Sequence, residues 1–170
     1  MVQNGRMILL TIAGWALLIP GHAMAAAHVS VHQEAVIGRC IKASARGSLW
    51  LEQTLWGLRD QEGGQIGTIS KNRDRSEDLG PMQINSWWLT PIATALQRDR
   101  SEVRAWLIND PCFNVEAARW IFVDGLRASK NYWVAVGLYH SPTIHRQRGY
   151  AASVAQKLAR RYGAKIFSQE

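Results

Sequence analysis

The sequence predicts an α-rich α+β fold, a helical core interrupted by one small irregular or hairpin lobe. Three observations carry that prediction. Apolar residues recur at helical spacing through most of the chain. One stretch, residues 65–85, replaces that pattern with Gly, Ser, Asn, Asp and Lys among short β-branched pieces. At 170 residues the chain suffices for one core and is too short for two comfortable domains.

Residues 1–25 stand apart from that core. Arg6 gives a positive start, Met7 to Ile19 is almost purely apolar, Pro20-Gly21 breaks the run, and Ala23-Met24-Ala25 is a small-x-small cleavage site. This is the layout of a secretory signal peptide, cleaved after Ala25 or Ala27. An uncleaved anchor is the other reading, against which the apolar run falls short of the ~20 residues that span a bilayer. Residues 26–170 then form the single domain, with its motif-bearing core at 48–162. Export places the protein in the periplasm, touching the membrane only through its transient leader.

Within the domain, Val31 to Ala43 has helical spacing and stops before Arg46-Gly47. Ser48 is placed to cap a helix through Glu62, with Leu51, Leu55 and Leu58 on one face, ended by Gly63-Gly64. After the polar lobe, helical spacing resumes from Trp88 to Leu96. Ser101 is read as the cap of a helix from Glu102 to Ile108, closed by Asp110-Pro111. Asn114 is read as the cap of Val115 to Ala128. Tyr132 to Tyr139 and Arg148 to Tyr162 complete the set, with Gly163 as C-cap.

The chain carries 20 Lys+Arg against 13 Asp+Glu, and losing the leader removes only Arg6. A basic exported protein suits an anionic polymer or membrane surface through steering. Nucleic acid, the usual partner of such charge in the cytoplasm, is argued against by the leader. Cys40 and Cys112 are the only cysteines. In an oxidising compartment they read most simply as one disulfide, with two separately buried thiols as the other reading. Neither cysteine has a companion at finger spacing, so no metal or cofactor is expected.

Glu62 is the candidate catalytic residue. Cleaving a glycosidic bond requires a proton on a poor leaving group, which a carboxyl can supply near neutral pH only where its protonated form is favoured. A helix C-terminus disfavours the anion, and neighbours such as Leu58 and Met82 would desolvate it. Downstream comes Ser76 to Trp88, SEDLGPMQINSWW, and then AVGLYHSPT from Ala135 to Thr143.

These segments resemble the active site of lysozyme-like lytic transglycosylases, which cut the glycan strands of bacterial cell wall. Ser76, Gly80 and Gln83 match the signature that follows the family's catalytic glutamate, with Pro81 where leucine is common. Tyr139 matches the tyrosine of the A-Y-N-x-G element, His140 stands at its asparagine, and Tyr150 matches a tyrosine near the acid. Gly63 replaces a common serine. The EGG start, the D-x-G-P-M-Q-I-N-S core and the Y-H-S-P element look most like enzymes of conjugation, type IV secretion and pilus systems. The resemblance implies a lysozyme-like domain acting as a monomer on peptidoglycan strands, with components of such a machine as partners.

In that frame Gly80 allows close backbone approach, Pro81 and Met82 wall the cleft, and Gln83 and Asn85 present amides to N-acetyl sugars, on one side if the stretch is extended. Asp78 leaves two chemistries open. A transglycosylase uses Glu62 alone, as acid and then base, while the muramoyl 6-hydroxyl attacks and a 1,6-anhydro sugar forms. A retaining hydrolase would pair Glu62 with Asp78 as nucleophile. The implied chemistry is the first, and a wall-binding scaffold without turnover is the third reading. Trp87 and Trp88 are candidates to stack on sugar rings, while Trp50, Trp56, Trp106, Trp120 and Trp133 read as core. Lys157, Arg160, Arg161 and Lys165 read as a solvated helix face.

Overall fold

A computed structural model describes the backbone of residues 21–167 and the side chains from residue 31 on. The expected leader falls largely outside them. The first helix, α1, spans Gly21–Ala45, so it starts before Val31. Next, α2 spans Leu49–Glu62, followed by a lobe with strands β1 Ile69–Lys71, β2 Glu77–Leu79 and β3 Ile84–Asn85. A 3-10 turn at Ser86–Trp88 leads into α3 Leu89–Leu96, α4 Arg100–Asn109, α5 Pro111–Ser129, α6 Tyr132–His140 and α7 Ile144–Tyr162. This is a helix-rich α+β fold with one small antiparallel sheet. Among the described residues no helix is long and apolar enough to cross a membrane.

The core lies where α1, α2 and α6 meet α5, and where α7 closes over α2 and α6. Ile37, Ile41, Leu55, Leu58, Phe122 and Val154 are without exposure there. The apolar stripe of α2 predicts this, since Leu51, Leu55 and Leu58 share one face. Cys40 and Cys112 form a disulfide that ties α1 to the start of α5.

Several caps differ from expectation. Asp99, not Ser101, holds the N-cap position of α4. Asp110 ends α4 and caps α5, its Oδ1 accepting from the N–H groups of Cys112 (2.9 Å) and Phe113 (3.0 Å), with Pro111 in the first turn. An acidic side chain followed by a proline of preset φ outcompetes Asn114 as the start signal. Asn114 instead lies inside α5, fully buried, and its amide holds the lobe. It accepts from Met82 N–H at 2.8 Å and donates to the carbonyls of Leu79 (2.8 Å) and Leu107 (2.7 Å). Ser48 sits at the N-cap of α2 as expected, yet its side chain makes no capping bond.

The lobe is more regular than its composition implies. The strands pair in the order β1-β2-β3, and the register sets Ser70 opposite Asp78 and Asp78 opposite Asn85. Glu77 on β2 pairs with Arg104 on α4 at 2.7 Å, fastening the sheet to the helical body.

The aromatic residues divide differently as well. Trp106 packs on Phe113 and Trp120 on Trp88, but Trp50 and Trp133 are 50% and 37% exposed, capping Phe122 and Tyr132 from outside. Both lie in the first turns of their helices, where a side chain overhangs the core edge. Trp88 turns inward while Trp87 remains exposed, so the two indoles do not form one platform. Arg161 leaves the solvated face to pair with Asp60 at 2.6 Å and to lie 4.0 Å over the Trp56 ring.

Candidate active site

Glu62 is the last residue of α2, and Gly63 ends the helix by adopting φ +63°, its N–H returning to the Arg59 carbonyl at 3.0 Å. Arg59, one turn earlier and buried, fixes this junction. Its guanidinium donates to the carbonyls of Gly64 (2.7 Å) and Pro81 (2.8 Å) and pairs with Glu34 of α1 (2.8 Å). One side chain thus joins α1, the end of α2 and the lobe. Sequence reading missed it, although an arginine at i−3 from a helix-terminal acid, on the apolar face of Leu55 and Leu58, was the available signal.

Burial raises the Glu62 carboxyl to about 7. The Tyr150 hydroxyl donates to Glu62 Oε1, which opposes that rise, and the charge of Asp78 adds to it. Desolvation is the largest of the three, so the acid form survives to neutral pH. Tyr150 has two aromatic neighbours on α6: His140 lies parallel to it at 4.7 Å and Tyr139 is 6.4 Å away, centroid to centroid. Tyr139 is anchored in turn, donating to the Met82 carbonyl at 2.8 Å. Burial pushes both tyrosines well above the ordinary phenol range, with Glu62 adding, so they remain neutral donors. Burial lowers the His140 imidazole; Asp78 opposes this and Arg146 reinforces it.

The remaining candidates sit in the lobe, bonded to one another. Asp78 accepts from Asn72 Nδ2 (2.9 Å) and Asn85 Nδ2 (2.8 Å). Ser76 is buried; it donates to Asp74 Oδ1 (2.7 Å) and accepts from Asn72 and Asn85. Asn85 also accepts from Trp87 N–H at 3.0 Å. Gln83 donates to the Gly80 carbonyl (2.8 Å) and accepts from Ser70 Oγ (2.7 Å).

Three expectations change accordingly. The Met82 side chain has no exposure, so it belongs to the core and cannot wall a cleft. Gly80 is left-handed at φ +66°, and a Cβ there would meet the Leu107 carbonyl at 2.2 Å, so its close approach is to α4 and not to a ligand. Gln83 has φ +47°, hence the stretch turns and does not run extended past Asn85. Both amides also make bonds within the lobe, Asn85 to Asp78 and Gln83 to the Gly80 carbonyl.

Glu62 opens into a pocket of about 430 Å³ lined by Gln61, Glu62, His140, Arg146, Gly149, Tyr150 and Ser153. Among the described residues no cluster of side chains suited to a metal ion is found. Fold and pocket define a small helix-rich α+β domain that presents a desolvated carboxyl acid beside an aromatic stack. No family model matches the chain. Over 111 residues it is 30% identical to proteins named Invasion protein IagB from Salmonella typhimurium and Salmonella typhi. The match covers 65% of this chain and 66% of those relatives, so the chain spans just under two thirds of their length.

Proposed function

We propose that this protein is a lysozyme-like lytic transglycosylase of peptidoglycan, cutting the β-1,4 bond between muramoyl and glucosaminyl sugars without water. Glu62 protonates the bridging oxygen, then takes the proton of the muramoyl 6-hydroxyl as that oxygen closes on the anomeric carbon. The products are a 1,6-anhydro sugar and a new glucosaminyl end. The single observation that carries this reading is the Glu62 carboxyl, raised to about 7 and opening into a pocket. Intramolecular attack has a high effective molarity, so one carboxyl suffices. Tyr150 steadies the carboxylate formed after the first proton transfer, and Tyr139 with His140 keeps Tyr150 in place.

Residues 26–170 act as the mature domain after loss of residues 1–25, exported to the periplasm; the Cys40–Cys112 disulfide supports an oxidising compartment. The wall is opened locally for an apparatus that crosses it, of the secretion, conjugation or pilus kind. The relatives' name, which speaks of invasion, is in keeping with such a role.

One observation favours a retaining hydrolase as second reading. The charge of Asp78 reaches Glu62, and its oxygens are fixed by Asn72 and Asn85. Two carboxyls in contrasting surroundings are the retaining-glycosidase pattern. Against it, Asp78 is not among the residues lining the pocket. Glu62→Gln and Asp78→Asn, assayed for release of fragments from purified sacculi, separate the readings. Transglycosylation predicts loss of ~10²–10⁴-fold for Glu62→Gln and a modest loss for Asp78→Asn. Near-total loss in a folded Asp78→Asn protein would favour the hydrolase.

A further inference from the structure

The pocket wall opposite Glu62 is one face of α7, with Arg146, Gly149, Tyr150 and Ser153 at helical spacing. Tyr150 serves Glu62 and Ser153 donates to Gln61, which leaves Arg146 and Gly149 without an assigned task. Arg146 forms no ion pair or hydrogen bond among the described residues, although it sits on the rim of an acid-bearing pocket. Its charge lowers the pKa of both His140 on α6 and Asp74 in the lobe. The first turn of α7 holds no acidic residue, and Thr143 makes no side-chain cap. Nothing on that turn neutralises the guanidinium.

Gly149 is unusual for a different reason. It lies inside a 19-residue helix, where glycine is a poor helix former. Two other helical glycines are demanded by their neighbours: a Cβ on Gly57 would meet Leu158 at 2.8 Å, and one on Gly137 would meet Gln147 at 2.5 Å. A Cβ on Gly149 would meet nothing within 4 Å, and its φ is that of an ordinary helical residue. The fold does not require the missing methyl. The space it leaves belongs to the pocket, one turn from Arg146.

We propose that Arg146 and Gly149 form a carboxylate-accepting subsite beside Glu62, which takes the acidic substituent of the muramoyl sugar next to the bond being cut. This rests on the glycan-strand reading of the pocket. A guanidinium recognises a carboxylate through paired N–H donors, and Gly149 lets the substituent lie against the helix backbone. Two sources share that chemistry: the free lactyl carboxylate of a strand stripped of peptide, and the carboxylates of an attached stem peptide.

Binding separates the possibilities without turnover. Dissociation constants are measured for the Glu62→Gln protein with and without Arg146→Gln, against three glycans: N-acetylglucosamine oligomers, peptide-free glycan strands, and peptide-bearing strands. The subsite predicts that Arg146→Gln weakens the carboxylate-bearing glycans about tenfold, some 1.4 kcal/mol, and leaves the neutral oligomer unchanged. A loss confined to peptide-bearing strands assigns the stem peptide, a loss confined to peptide-free strands assigns the lactyl carboxylate (an amide wherever the peptide is attached), and a loss on both shows that the subsite takes either carboxylate. Equal loss on all three glycans, or on none, would overturn the subsite while the glycan reading stands. Failure of every glycan to bind would overturn both. Gly149→Ala gives a second readout: a melting temperature raised by roughly 2–4 °C together with weaker binding of the carboxylate-bearing glycans. Unchanged binding in that variant would contradict the role given to Gly149.

Discussion

Glu62 shows how one side chain can be a stability cost and a proposed reagent at once. Its carboxyl is raised to about 7, so the folded chain holds a proton there that the unfolded chain releases near the ordinary glutamate value of about 4.3. For a carboxyl raised on folding the sign is unfavourable. Its contribution worsens as pH climbs from about 4 to 7 and is constant above that, to a total of about 4 kcal/mol. Glu62→Gln removes this cost and keeps an acceptor for the Tyr150 hydroxyl. The expected outcome is a variant that melts several degrees above wild type at pH 8 and equally at pH 4, followed by circular dichroism. Activity has the complementary signature: cleavage at limiting substrate falls tenfold per pH unit once Glu62 has deprotonated above about 7. A rate that keeps rising to pH 9 would remove Glu62 from the acid role.

At the scale of elements, the lobe is held to the helices by a few polar residues that periodicity does not reveal. Asn114 satisfies three buried backbone groups, and Arg59 joins two carbonyls to Glu34. Asn114→Ala leaves Met82 N–H and the carbonyls of Leu79 and Leu107 without that partner. The expected loss is about 3 kcal/mol in urea unfolding, since each orphaned buried group costs ~1–3 kcal/mol and the site relaxes in part. A loss below about 1 kcal/mol would show that water replaces the amide. Much of this level was nevertheless legible. The stripe of Leu51, Leu55 and Leu58 gave α2 with its end at Glu62, and Gly63 gave its stop. Asn114 was misread because a residue preferred at caps serves equally well as a buried clamp, and only tertiary context distinguishes the two. Met82 and Gly80 were misread for a related reason: a motif names residues that matter without saying whether they face a ligand or the core.

For the whole molecule, the Cys40–Cys112 bond joins the first helix to the fifth across 72 residues. Closing a loop of that size is worth ~4 kcal/mol in the chain-entropy account. The Cys40→Ser, Cys112→Ser protein is accordingly expected to unfold at a clearly lower urea midpoint, while thiol labelling of the unreduced, denatured wild type finds no free cysteine. The expectation of export and the count of two cysteines were enough to anticipate the bond. The convergence of Tyr139, His140 and Tyr150 on Glu62 rested instead on resemblance, because a stack assembled from α6 and α7 leaves no periodic trace in sequence. The proposed chemistry is tested most directly by mass spectrometry of the fragments released when residues 26–170 digest purified sacculi. Terminal 1,6-anhydro-muramoyl ends, absent from the Glu62→Gln digest, are the predicted result; reducing muramoyl ends would contradict it.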